Sequence, residues 1–308
     1  MSFQARQILC ALDLGPASPT ILHWARLLAE VFSSSVEILH VNRCNLPHYF
    51  MRSQCENLIR EMRRCEDDAR RNLSRLAEEH LGAGIDWSVT SKTGDAIEMI
   101  RAHIAKTSPD LVILGEYRCR SLRRLFRTSV PEALIRLSNR PLLLVASPEE
   151  EATSDTVQIR NVLCVSDSCS LFSRSLVIAA TLARIFDATL IALVLNQAER
   201  EEPEEFQRLR SWLVDCYGER GHAAGVSVKQ TRAEEILRVA EQMKADLLVT
   251  CEHPKRLIKT GILGPFSRKV IKRFPFSILF VPERRQSNTK PPSFDCHEID
   301  RHAPKWPS

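Results

Sequence analysis

A short apolar run at residues 8–12 stops at Asp13 and a turn-forming stretch, Gly15-Pro16-Ala17-Ser18. Leu22, Ala25, Leu28, Ala29 and Phe32 then recur at three- and four-residue intervals, the spacing that gathers apolar side chains on one face of a helix. The chain therefore opens with strand, turn and amphipathic helix. Further apolar runs at residues 36–41, 111–114 and 142–145 alternate with helical patterns. Near-continuous apolar strands separated by helices predict right-handed crossovers and a parallel sheet covered on both faces. Residues 52–81 carry Leu58, Ile59, Met62, Leu73 and Leu76 in a background of Arg and Glu, which predicts a long surface helix with one buried stripe.

The same pattern returns later in the chain. Placing Asp13 on Asp167 runs residues 8–42 against 162–196 without a gap, and Leu9, Cys10, Asp13, Leu22, Ala25, Leu28, Ala29, Phe32, Leu39 and Asn42 each meet an identical residue. In a second ungapped register residues 110–114 meet 246–250, and residues 142–145 meet 278–281. The matches fall where a strand, a helix and a strand need apolar positions, so they read as a duplicated structural unit. The expected organisation is a first domain at residues 1–148, an acidic linker at 149–157 and a second domain at 158–283. A proline-rich tail at 284–308, expected to be disordered, follows.

An open parallel sheet binds ligands outside the carboxyl ends of its strands, where anions meet helix N-termini and glycine turns. In the first half those positions are residues 13–18, Val41 and Asn42, and residues 115–129. Each half resembles a universal stress protein domain, which opens with an apolar strand ending in Asp and closes with a Pro-Val-Leu-Val-like strand. Arg140-Pro141-Leu142-Leu143-Leu144-Val145 matches that closing strand, and the resemblance runs from about residue 8 to 281. It implies two tandem doubly wound parallel five-stranded sheets of Rossmann-like, adenine nucleotide alpha hydrolase-like type. It further implies a pseudo-dimer within one chain, with the two closing strands paired or packed across the domain boundary.

Nucleotide-binding members of that family carry Gly-x2-Gly-x9-Gly-Ser/Thr before the closing strand. The first half places Gly115, Arg118, Thr128 and Ser129 at these positions, and the second half Cys251, Pro254, Gly264 and Pro265. Side chains in place of glycine obstruct close approach of backbone N–H groups to phosphate, and Pro265 removes a donor. The resemblance implies that Asp13 and Asp167 lie beside an adenosine; the alternative is that each caps the turn that follows it. Arg118, Arg120, Arg123, Arg124 and Arg127 form a basic cluster where phosphate would sit, and read either as replacement anion ligands or as a solvated face. The candidate ligand positions are accordingly Asp13, Val41, Gly115, Arg118, Thr128, Ser129, Asp167 and Gly264.

Composition changes this picture little. Hydrophobic residues make up 44% and charged residues 26%, the balance of a packed globular chain, and the formal charge of +5 comes from 43 basic and 38 acidic residues mixed along it. Nothing there calls for nucleic acid, and no apolar run is long enough to span a bilayer. A cytoplasmic protein with reduced thiols is expected, because the ten cysteines are scattered and Cys10, Cys164 and Cys251 fall in apolar strands. Cys119 in the basic loop and Cys251 at a strand end are candidates for redox sensitivity. Neither Cys164 with Cys169 nor any other group has metal-ligand spacing, and no catalytic constellation is visible. The expectation is a noncatalytic stress-response protein with a degenerate nucleotide signature and an unidentified protein partner. The alternative is a sensor of ATP, AMP or another adenine nucleotide acting through the first half, and a nucleotide hydrolase ranks third.

Overall fold

The computed structural model describes residues 3–42, 52–115, 130–146, 157–166, 173–195, 204–226, 232–252 and 276–282. They fall into two compact units, divided between Val157 and Gln158. In the first unit the order is β1 (Gln7–Leu12), α1 (Ser18–Phe32), β2 (Ser35–Asn42), α2 (Arg52–Leu81), β3 (Trp87–Thr93), α3 (Ala96–Thr107), β4 (Leu111–Gly115), α4 (Val130–Leu137) and β5 (Leu142–Val145). All strands pair in parallel, in the spatial order β3-β2-β1-β4-β5. The order reverses between β1 and β4, which is the switch point of a doubly wound sheet.

The second unit repeats the plan with β6 (Asn161–Ser166), α5 (Arg174–Ile185), β7 (Thr189–Leu195), α6 (Glu204–Tyr217), β8 (Gly221–Val226), α7 (Arg232–Gln242), β9 (Leu247–Glu252) and β10 (Ser277–Pro282). Its parallel strands run β10-β9-β6-β7-β8, so its reversal lies between β6 and β9. The central strands are buried on both faces, with Ile8, Leu9, Cys10, Val112 and Ile113 in one core and Val162, Leu163, Leu248 and Val249 in the other fully or almost fully inaccessible. That burial explains why they read as unbroken apolar runs.

The duplication extends to polar details. Asp110, just before β4, uses Oδ2 to accept hydrogen bonds from the backbone N–H groups of Arg6 (2.9 Å) and Gln7 (3.1 Å) at the start of β1. Asp246 does the same for Arg160 (2.8 Å) and Asn161 (2.9 Å) before β6. Each aspartate thus clamps the two strands on either side of its switch point. Left-handed residues also recur in register: Ser33 and Asp187 follow the first helix of each unit, and Ser108 and Lys244 follow the helix before the Asp clamp.

One reading of the sequence needs correction, and two strands gave it no signal. The buried stripe of α2 contains Ala69, Leu73, Ala77 and Leu81, whereas Ile59 is 49% exposed. Ile59 stands fourteen residues before Leu73 and about 40° from it around the helix, so the stripe keeps its direction but is left uncovered there. The strands β3 and β8 gave no apolar run to read, because each pairs on one side only among the described residues, β3 with β2 and β8 with β7. The sequence Trp87-Ser88-Val89-Thr90-Ser91-Lys92-Thr93 is accordingly mixed, as an outer strand allows.

Candidate functional site

Three helices of the first unit begin at the carboxyl ends of its strands, and their first turns converge on a cavity of about 370 Å³. Ala17 and Ile21 come from α1, Ala96 and Ile100 from α3, and Val130 and Pro131 from α4. Strand ends complete the wall with Ala11, Leu12 and Asp13 after β1, Leu39 to Asn42 in β2, and Leu114 and Gly115 in β4. The cavity therefore lies over the switch point. Helix N-termini bring partial positive charge to it, and among the described lining residues Asp13 supplies the one carboxylate.

Asp13 is exposed, and its Oδ1 accepts the N–H of Gly15 at 2.8 Å. This closes a turn around Leu14, which is held at φ +60°. A Cβ at position 15 would stand 2.8 Å from the same oxygen, so glycine keeps the turn tight. The bond engages one of two carboxylate oxygens, so the turn-closing role and a role facing ligand are compatible.

Gly115 ends β4 directly under the first turn of α1. A Cβ there would meet Ile21 Cδ1 at 3.0 Å and Ala17 Cβ at 3.4 Å. Its absence lets strand and helix approach closely, which is a packing reason for glycine independent of phosphate.

The polar wall opposite is a chain of side chains of which the sequence reading named only Asn42. Buried His40 places Nδ1 2.8 Å from the carbonyl oxygen of Leu12, and because a carbonyl only accepts, that nitrogen carries a proton. Its Nε2 lies 3.1 Å from Asn42 Oδ1, and Asn42 Nδ2 donates to Ser91 Oγ at 3.0 Å. His40 and Asn42 are two residues apart on one strand and therefore share a face. That alternation was the available signal.

The structure thus brings Asp13, Val41 and Gly115 around one cavity, as expected from strand ends. Arg118, Thr128, Ser129, Asp167 and Gly264 lie outside the described residues, as do the other arginines of the first-half loop, Cys119, Cys169, Pro254 and Pro265. No group of three or more metal-ligating side chains occurs among the described residues. None of the described helices is long and apolar enough to cross a membrane. Cys10 and Cys164 are buried free thiols; burial pushes Cys10 well above the ordinary thiol range and Cys164 up to about 12.

Comparison with known proteins agrees with the geometry. The chain is similar over 92% of its length to a universal stress protein from Archaeoglobus fulgidus DSM 4304, with 98% of that chain covered, 15% identity and a TM-score of 0.71. It is also similar to a functionally unknown protein from Pseudomonas aeruginosa PAO1, with 90% of this chain and 92% of that one covered, 17% identity and a TM-score of 0.59. At these identities the likeness is one of fold. No curated protein matches the sequence at a significant level. The model of the universal stress protein family matches twice, over residues 4–146 and again over 158–282. With the fold, the switch-point cavity and both matches in agreement, the chain belongs to the universal stress protein family as a tandem member with two family domains.

Proposed function

We propose that the protein acts in stress response without catalysing a reaction, and that nucleotide binding is weakened or lost in both halves. Family membership supports the stress role. The observation that carries the rest is the contrast at the switch point: a cavity of about 370 Å³ is kept in the first unit, while Arg118 and Thr128 stand where the family signature has glycine. Side chains in place of those glycines are expected to obstruct close approach of backbone donors to phosphate. The described walls are mostly apolar, with Asp13 as their one carboxylate, a lining that suits a hydroxyl-bearing or apolar group better than a phosphate.

A second reading is supported by the position of Asp13, Val41 and Gly115 around that cavity: binding of ATP or another adenine nucleotide by the first half. Calorimetric titration with ATP separates the two. Absence of heat and of a thermal shift at millimolar ATP supports the first, and saturable binding abolished by Asp13→Ala supports the second. Nucleotide hydrolysis is the third reading, and it would need a base or a metal positioned at the cavity. Protein-dependent phosphate release from ATP and Mg²⁺ would overturn the noncatalytic reading.

We further propose, from the duplication alone, that the two domains are each other's partner. Sedimentation at micromolar concentration is then expected to give the mass of a single chain, and a stable dimer would count against a built-in pair.

A further inference from the structure

A cluster of ionisable side chains lies away from the cavity lining, between α3 and the strands β2 and β3. His103 of α3, its side chain 6% exposed, places Nε2 2.8 Å from Glu37 Oε1 of β2. On the other side of the ring, Nδ1 lies 2.9 Å from Lys92 Nζ of β3. An ammonium only donates, so Nδ1 must offer its lone pair and Nε2 must carry the proton given to Glu37. The carboxylate is fixed in turn by Thr90 Oγ1, which donates to Oε1 at 3.2 Å, and the His103 backbone carbonyl accepts from Thr107 Oγ1 at 3.0 Å.

Carboxylate, imidazole with a defined tautomer, and nucleophile are thus in line, the order by which a histidine activates its neighbour. Here the neighbour is an amine. We propose that Lys92 is a site of covalent acylation, activated by His103 and Glu37, and that its donor is a small acyl phosphate. Lys92 is half-buried, which admits a small donor more readily than a large thioester.

One ammonium proton passes from Nζ to His103 Nδ1, and the resulting imidazolium is stabilised by Glu37. The freed lone pair, turned outward by rotation about the Cε–Nζ bond, attacks the acyl carbon of acetyl phosphate. The adduct collapses with cleavage of the carbon–oxygen bond, phosphate leaves with a second proton from nitrogen, and His103 releases its proton to water. The products are acetyl-lysine, hydrogen phosphate and one proton. Acetylation removes the positive charge from β3 and leaves His103 without its donor. Lys92 is the registered partner of Val41, which lines the cavity, so this change falls one strand from the candidate site.

The test is timed incubation of the full chain with acetyl phosphate and site-resolved mass spectrometry. Lys92 is expected to react about tenfold faster than the exposed Lys106 and Lys244, a modest share of what general-base assistance supplies. His103→Gln and Glu37→Gln should each bring Lys92 to the rate of those two lysines, whose own rates and the circular dichroism spectrum report that the fold is intact. Should His103→Gln unfold the protein, Glu37→Gln decides. A wild-type Lys92 that reacts no faster than Lys106, or an excess that survives the substitutions, would overturn the proposal.

Discussion

Single residues carry most of what distinguishes the two copies from generic α/β units. The clamps of Asp110 and Asp246 each satisfy two strand-opening N–H groups with one carboxylate oxygen, and hydrogen bonds to charged groups are worth more than neutral ones. Asp110→Ala and Asp246→Ala should each destabilise by about 1–3 kcal/mol in urea unfolding, while Asp110→Asn should recover part of the loss. Equal costs are expected because the partners and distances match. A negligible loss at either site would mean that water replaces the clamp there.

Buried thiols set a second expectation at this scale. Cys10 and Cys164 titrate higher folded than unfolded, so the folded state holds its protons more tightly. Their contribution to stability is complete below the unfolded thiol pKa of ~8.5 and is lost as pH rises above it toward the folded values. Stability should decline on alkaline titration from about pH 9 upward, and native Cys10 and Cys164 should resist iodoacetamide under conditions that label exposed Cys65. Rapid native labelling of Cys164 would contradict its burial.

At the scale of elements, legibility followed burial. The strands β1, β4, β5, β6, β9 and β10 were readable because successive apolar side chains are buried in them, and the repeat located β7 through Leu39 and its counterpart Leu193. The one-sided strands β3 and β8 were not, since Ser88, Thr90 and Lys92, like Gly221 and His222, leave no apolar run. The helix α2 was placed over its full length, but its inward stripe was misread at one position. Leu73 is fully buried and Ile59 is not, so Leu73→Ala should cost about 2–5 kcal/mol and Ile59→Ala should stay within about 0.5 kcal/mol. Comparable losses at the two sites would show Ile59 to be covered as Leu73 is.

The candidate site was legible at this scale for a related reason. Asp13, Val41 and Gly115 were found because strand ends are punctuated by a change from apolar to polar or glycine positions. His40 was missed because it interrupts an apolar run and its role depends on the carbonyl of Leu12, a backbone atom of another strand that sequence spacing does not reveal. The Glu37–His103–Lys92 chain escaped notice likewise, since its members come from separate elements that only the fold assembles.

For the whole molecule, the sequence repeat and the repeated strand order describe one event, the duplication of a family domain. After it the copies diverged where a ligand would be held more than where strands pair: both keep the Asp clamp, whereas the glycine positions of the signature differ between them. Both copies thus keep the family fold, while the glycine positions of the signature are filled differently in each. The most direct test is mass spectrometry of small molecules released from protein purified gently and without added ligand. No bound nucleotide is expected, and millimolar ATP should then produce no calorimetric heat; an adenine nucleotide recovered at close to one per chain would contradict the account.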